Sequence, residues 1–289
     1  MTLFDRNLSR RGFMKTGMAA TAAGGLAGLR SAHAAEDAQA TQAAQAAQAD
    51  QADQADQADQ AAQADQENRH PGSDENPYQT LRNTPTPLIM DALTRLGFDR
   101  TRMAMSRAVR PMFPARGTIA GPAVTTKYEE SDIPTTRDDI RAHVFRPVDE
   151  AGPGSIWVTA SGTTEILSMF GDVIVLSCRQ QGLSGLVTDG GCRDIEGMEE
   201  VGLPVYAAGT CLYGPGSVIR PVAANVPVTC GGIEISPGDV VAADVNGVMA
   251  FPAEALTEVI QKIGELEEKE IRSRRAIEEG LPLETAYEF

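Results

Sequence analysis

Residues 169–194 read Met169-Phe-Gly-Asp172-Val-Ile-Val-Leu-Ser-Cys178-Arg-Gln-Gln-Gly182-Leu-Ser-Gly185-Leu-Val-Thr188-Asp-Gly-Gly-Cys192-Arg-Asp194, and the fold turns on how this run is parsed. Gly171-Asp172 opens an apolar segment (Val173, Ile174, Val175, Leu176, Cys178) that predicts a buried helix ending near Gly182. Gly185–Thr188 predicts a short inner strand, with a turn over Asp189-Gly190-Gly191 at its carboxyl end. Helix starts and strand ends lying side by side are where α/β proteins put their ligands. One helix plus one strand separates Asp172 from Arg193-Asp194, so the chain can go out and return. Two carboxylates and a guanidinium then face one pocket.

Outward from this unit, Thr86 or Pro87 starts an amphipathic helix (Leu88, Ile89, Ala92, Leu93, Leu96) closed by Gly97. Residues 117–127 are strand-like with a Gly-Pro interruption. Residues 129–146 are polar and fit no element. Ser155–Ala160 is a strand leading into a loop, Ser161–Thr164, expected to border the pocket. Then follow a short helix (Ile195–Val201), a strand (Pro204–Ala208) and a run of β segments from Val218 to Phe251. Turns at Gly231-Gly232, Pro237-Gly238 and Asn246-Gly247 punctuate that run. A charged helix from Ala253 to about Glu279 ends at Gly280. Its thin apolar stripe (Leu256, Val259, Ile260, Ile263, Leu266) suggests a solvated face or a subunit-contact arm. The order predicts one α/β domain with layered sheets.

The 289 residues carry a net charge of −15, and 42% are hydrophobic, enough for a substantial core. Charge is unevenly placed: +4 over residues 1–34, −9 over 35–77 and −10 over 78–289. A domain that acidic repels phosphate backbones, which argues against a nucleic-acid partner. His33, His70 and His143 are the only histidines, and just one falls in the domain. That excludes a histidine-built zinc site there and directs any metal toward oxygen ligands. Cys178, Cys192, Cys211 and Cys230 lack Cys-x-x-Cys spacing, which removes a zinc ribbon. Cys178 and Cys230 read as packing residues. Cys192, beside Arg193, is either a low-pKa nucleophile or, as favoured here, a plain loop residue.

Asp172, twenty residues on, then Arg193-Asp194 resembles the signature of the RraA-like family, which includes class II 4-hydroxy-4-methyl-2-oxoglutarate/4-carboxy-4-hydroxy-2-oxoadipate aldolases. Asp91–Gly97, Gly121–Thr125, Gly202–Val205, Asn225–Val228, Pro237–Val240 and Asp244–Val248 are similar to family blocks and stand in family order. The resemblance covers about residues 84–280. It implies an α/β/β swivelling-domain fold with a C-terminal helix, assembling as homotrimers or hexamers. The activity it implies is metal-dependent retro-aldol cleavage of a 4-hydroxy-2-oxo acid to pyruvate, with oxaloacetate decarboxylation alongside. A Glu from a neighbouring subunit's terminal helix is implied to complete the site. Glu270 aligns best, with Glu267 and Glu268 close by. The family also contains an inhibitor of a ribonuclease, so a protein-binding scaffold stays open, as does a pocket that binds oxo acids without turnover.

The residues suit that chemistry. Asp194 and Asp172 suffice to hold a hydrated Mg²⁺ or Mn²⁺, because Mg²⁺ keeps several waters and needs one or two carboxylates. Arg193 offers a planar fork for the substrate's carboxylate. Gly171, Asp172 and the N–H groups of Val173 and Ile174 form an anion-binding helix start. No lysine falls between Lys127 and Lys262, which argues against a Schiff base.

At the amino terminus, Ser9-Arg10-Arg11-Gly12-Phe13-Met14-Lys15 is similar to the twin-arginine export signal. A mildly apolar stretch (Thr16–Leu29), too short and glycine-rich to span a membrane, leads to Ala32-His33-Ala34, a small-residue cleavage site. Residues 1–34 are therefore expected to be a signal peptide and the protein periplasmic. Residues 35–77, rich in Ala, Gln and Asp with a Gln-Ala-Asp triplet repeated over 51–59, read as an acidic solvated tether. The catalytic domain is expected over 78–289.

Overall fold

A computed structural model describes residues 76–287, which belong to one compact unit, Asp74–Phe289. The expected signal peptide and all but the last residues of the expected tether lie outside the described residues.

Helix α1 (Pro77–Arg82) and helix α2 (Thr86–Arg95) come first. Strand β1 (Arg110–Pro111) and the long β2 (Ile119–Glu130) follow, then β3 (Ile156–Ala160) and β4 (Ser168–Phe170). The central unit is α3 (Asp172–Gln180), β5 (Gly185–Thr188), β6 (Gly191–Cys192) and α4 (Ile195–Val201). After it come β7 (Val205–Ala207), β8 (Gly209–Thr210), β9 (Ile219–Ala224), β10 (Val228–Cys230), β11 (Ile233–Ile235), β12 (Val240–Asp244) and β13 (Gly247–Phe251). Helix α5 (Leu256–Glu278) follows a 3₁₀ turn at Ala253–Ala255.

The main sheet runs β1-β7-β5-β3-β2-β12-β13, with β9 also paired to β2. Its β7-β5-β3-β2 portion is parallel and the remaining pairs are antiparallel. Side chains alternate between faces along each strand, and this divides the core into layers. Trp157, Leu186 and Val205 point to the face covered by α3 and α4. Ile156, Val158, Val187 and Tyr206 point the other way, onto Val241, Ala243, Val248 and the β10-β11 hairpin. The outer face of β12-β13 (Val240, Ala242, Met249, Phe251) packs on Ile89 and Leu93 of α2 and Val259 and Ile263 of α5. This is the layered α/β/β arrangement with a C-terminal helix that the sequence implies. Each large apolar side chain fully buried in these layers contributes about 1.5–3 kcal/mol.

Three local expectations are corrected. Helix α3 is a surface helix: only Val175 and Cys178 of its apolar run are buried, and Val173 is 74% exposed. A 3.6-residue period cannot turn five apolar residues of one short helix toward a single sheet. Residues 119–130 form one strand without a break at Gly121-Pro122. Ala123 bonds with the segment before β12 (its N–H to the Asp239 carbonyl), so Pro122, one residue earlier, turns its ring nitrogen to the opposite edge. On that edge β3 pairs only from Ala123 onward, and the missing N–H costs no ladder bond. Gly121 is needed as well, because a β-carbon there would sit 1.9 Å from the Gly154 carbonyl oxygen.

The third correction concerns the polar stretch 129–146. It finishes β2 and then forms a helical turn (Arg137–Ile140) running into a π-helical turn, Arg141–Phe145. Pro147 has no N–H to offer the His143 carbonyl four residues back. That carbonyl instead accepts from Thr126 Oγ1 (2.9 Å), which itself accepts from the buried Trp157 Nε1 (3.0 Å). The turn is thus anchored to β2 and β3 by a relay of two hydrogen bonds.

Candidate active site at the ends of β4 and β6

Strands β4, β6 and β8 form a small parallel sheet beside the main one. Phe170 pairs with Cys192, and the Arg193 N–H donates to the Phe170 carbonyl (3.1 Å). The next residues outward, Gly171 beside Arg193 and Asp172 beside Asp194, therefore emerge as neighbours at one corner. Asp172 begins α3 and Asp194 caps the start of α4, so both helices leave the same strand ends.

Two glycines let the charged side chains approach. A β-carbon on Gly171 would lie 2.9 Å from Asp194 Oδ2 and 3.8 Å from Arg193 Nε. One on Gly197, in the first turn of α4, would lie 3.0 Å from Asp172 Oδ2. Asp194 has φ 61°, a left-handed conformation that is uncommon outside glycine and concentrates at functional corners. Its carboxylate lies 3.5 Å from Arg193 Nε, and both side chains are about half exposed. An ion pair that open contributes under about 1 kcal/mol, so stability does not explain it.

The structure thus brings together Gly171, Asp172, Arg193 and Asp194. It also engages the two N–H groups assigned to an anion: Val173 N–H donates to Asp172 Oδ1 (2.7 Å) and Ile174 N–H to the Gly171 carbonyl (3.1 Å). Glu270 lies on α5, in a fork with Arg274 of the same chain (Nε to Oε1 3.0 Å). The Ser161–Thr164 loop sits at the carboxyl end of β3, where the Ser161 N–H donates to Asp189 Oδ1 (2.8 Å). His143 lines a separate hollow with Arg146 and Glu150.

Cys192 is a buried strand residue, not a loop residue, because a new strand, β6, begins at Gly191, directly after the Asp189-Gly190 bend. Burial pushes its thiol up to about 12, which removes it as a nucleophile at neutral pH. Sequence reasoning missed Gly197, whose only signal is a glycine inside a seven-residue helix. It also missed the segment after β8, where the Cys211 N–H donates to the Cys192 carbonyl (3.0 Å). Leu212, 94% exposed, and the exposed Tyr213 follow, and the Tyr213 carbonyl accepts from the Ser168 N–H (3.0 Å) at the start of β4.

The donor set suits a hard cation. Two carboxylates, each given room by a glycine, suit an ion that retains waters, and no group of three or more His, Cys, Asp or Glu side chains encloses a metal among the described residues.

The class this architecture defines is a layered α/β/β domain that carries two aspartates and an arginine at the ends of adjacent parallel strands. Over residues 86–250 the sequence matches the RraA-like (Aldolase/RraA) family, and the chain belongs to that family. A relative from Halalkalibacterium halodurans, provisionally named a 4-hydroxy-4-methyl-2-oxoglutarate aldolase, is 27% identical over 72% of this chain and 91% of its own. One from Azotobacter vinelandii with the same provisional name is 31% identical over 50% of this chain and 86% of its own. Among solved structures, Streptomyces coelicolor RraAS2, described as an unusual member of the RNase ES inhibitor RraA family, has a TM-score of 0.60. It is 26% identical, and the match covers 71% of this chain and 99% of that one.

Proposed function

We propose that the protein is a divalent-metal-dependent carbon–carbon lyase that cleaves a 4-hydroxy-2-oxo acid to pyruvate and decarboxylates oxaloacetate as a side reaction. The observation that carries this reading is the corner itself: Asp172 and Asp194 follow two paired strand ends, Arg193 lies 3.5 Å from Asp194, and glycines clear the space. The provisional names of the relatives support the same class.

In this reading Asp194 and Asp172 hold a hydrated Mg²⁺ or Mn²⁺. When bound, such an ion supplies Lewis acidity toward the 2-oxo group. Arg193, half exposed and with Asp194 as its one ion partner among the described residues, keeps donors free for the substrate carboxylate. Asp172 Oδ1 is fixed by the Val173 N–H, which leaves Oδ2 to hold a water that takes the C4 hydroxyl proton. The C3–C4 bond then breaks, C4 becomes a carbonyl, and the electron pair left on C3 takes a proton from water to give pyruvate. Lys127 pairs with Glu129 (2.6 Å), and no lysine stands near the corner in sequence, so no Schiff base is invoked.

Assembly as a homotrimer or hexamer belongs to this proposal. Val173, next to Asp172, is exposed, as are Leu212 and Tyr213 in the segment after β8, and Ile271 is exposed on α5 one residue from Glu270. A second copy covering the corner would bury these side chains and bring Glu270 to Arg193. We further propose that residues 1–34 direct twin-arginine export and that the mature protein is periplasmic, with residues 35–77 as a tether. Replacing Arg10 and Arg11 by Lys should then retain the protein in the cytoplasm on fractionation.

The likeness to RraAS2 favours a second reading, a non-catalytic scaffold that binds a protein. Pyruvate release separates the two. The protein with Mg²⁺ or Mn²⁺ and a panel of 4-hydroxy-2-oxo acids plus oxaloacetate should release pyruvate, and EDTA should abolish the release. No turnover from any panel member sinks the lyase. Ligand-induced thermal stabilisation without product would mark a binder.

A further inference from the structure

A cavity away from the corner has a lining whose charge runs against the rest of the chain. It lies between α2, the segment Ala104–Arg110 and the β12-β13 hairpin, with a volume of about 280 Å³. Met105, Val109, Val248 and Met249, all buried, form an apolar floor, and Met90 of α2 forms a wall. The charged side chains of its lining are Arg107 and Arg110, and no acid joins them. In a chain of net charge −15, that concentration of positive charge over apolar surface asks for an explanation. Other hollows differ: one of about 600 Å³ is lined by Asp99, Arg102, Glu234 and Asp239, and the apolar groove beside α3 carries Asp149.

The backbone segment that carries the two arginines is held in place by the fold. The Met105 N–H donates to the Val248 carbonyl (3.0 Å) and the Ser106 N–H to the Gly231 carbonyl (2.7 Å), which fixes one end of the segment. Val109 N–H closes a turn onto the Ser106 carbonyl (3.0 Å), and Arg110 Nη1 donates to the Asn246 carbonyl (2.8 Å) across the mouth. Arg110 has donors to spare after that single bond, since a guanidinium offers five N–H groups. Arg107 is exposed and has no ion pair or hydrogen bond with any described residue. Asp244, the acid in the adjacent hairpin, makes no ion pair with them among the described residues. It is buried, and its oxygens accept from Thr86 N–H, Thr86 Oγ1, Asn246 N–H and Asn246 Nδ2.

We propose that this cavity is a binding site for a small monocarboxylate with an apolar body, such as a short-chain or single-ring acid. The guanidinium pair takes the carboxylate by charge-assisted hydrogen bonds, and the methionine-lined floor takes the hydrocarbon. At about 30 Å³ per water-sized volume, the space admits a ligand of roughly nine heavy atoms. A bare phosphate would satisfy the arginines and leave the floor without a partner, so the apolar body is part of the recognition.

Methionine methyl NMR of the full chain tests this without reference to turnover, because Met90, Met105 and Met249 report the cavity while Met169 and Met198 report the β4-β6 corner. Hexanoate and benzoate should shift the first three resonances saturably and leave the last two unmoved, and inorganic phosphate should do neither. Arg107→Ala and Arg110→Ala should each weaken the response about tenfold, and Arg107→Lys should retain part of it. Unmoved Met169 and Met198 signals in these variants show that the fold is intact. Shifts confined to Met169 and Met198, an equal response to phosphate, or an undiminished response in the Arg107/Arg110 double variant would each overturn the assignment.

Discussion

Asp244 and Asp189 stand at strand ends and so do Asp172 and Asp194, yet the fold treats the two pairs in opposite ways. Asp244 is buried and accepts four hydrogen bonds, two from Thr86 at the start of α2 and two from Asn246 in its own turn. Asp189 accepts from the Ser161 N–H (2.8 Å) and the Gly231 N–H (3.1 Å), tying β5 to two loops. Their lone pairs are spent on the chain itself. Asp172 accepts one local bond, from the residue next to it, and Asp194 faces a half-exposed arginine across 3.5 Å. Carboxylates that hold a fold together are saturated, whereas carboxylates kept open to solvent beside strained or glycine backbone have capacity left for a ligand.

Substitution at the two kinds of aspartate should separate activity from stability. Asp194→Asn removes a proposed cation ligand and keeps the shape, so pyruvate release should fall about a thousandfold, or roughly 4 kcal/mol of barrier. The melting temperature should hardly move. Asp244→Ala should do the reverse. It strands the Thr86 and Asn246 N–H groups in a buried site, which costs about 2–4 kcal/mol of folding stability. Activity per folded molecule should be retained. If Asp194→Asn melts the protein or Asp244→Ala silences the folded enzyme, the division between the two pairs fails.

Gly171→Ala probes the corner more finely. The backbone there (φ −129°) is open to any residue, so the effect comes from the β-carbon's contact with Asp194 Oδ2 at 2.9 Å. The carboxylate is the free end of an exposed side chain and moves aside cheaply, so stability should change by less than about 1 kcal/mol. Misplacing it by a few tenths of an ångström should cost about tenfold in turnover. Turnover that matches the parent protein would mean that the position of Asp194 does not matter to the chemistry.

Much of this contrast can be read before folding, and the rest depends on distant partners. Gly185–Thr188 is legible as an inner strand because four small or apolar residues bounded by glycine fit a strand buried on both faces. The spacing of Asp172 from Arg193-Asp194 is legible because one helix and one strand fill it. Pro122 inside β2 is not legible, since its tolerance depends on where β3 begins to pair. The π-helical turn at Arg141–Phe145 is hidden for a similar reason: the carbonyl orphaned by Pro147 is rescued by Thr126, seventeen residues away. The shape of the corner itself needs the β4-β6 pairing, and strands of two or three residues leave no periodicity to detect.

Cys192 and Arg193 carry the contrast down to adjacent residues, one turned inward from β6 and the other outward to the corner. Burial raises the Cys192 thiol to about 12, and the Cys178 thiol on α3 likewise, from an ordinary value of 9.0. Groups whose folded value lies above the unfolded one stabilise the native state fully below pH 9. That contribution declines as the pH rises past 9 and is lost as it rises through the folded value near 12. The urea midpoint should therefore fall between pH 9 and 11, and it should fall less in Cys192→Ser. At pH 7, where the thiol is protonated in either state, Cys192→Ser should change turnover by no more than about twofold, whereas a thiolate nucleophile would lose nearly all activity. Thiol labelling at pH 8 gives an independent reading: Cys211, partly exposed, should react first, and Cys192 only as fast as the chain opens.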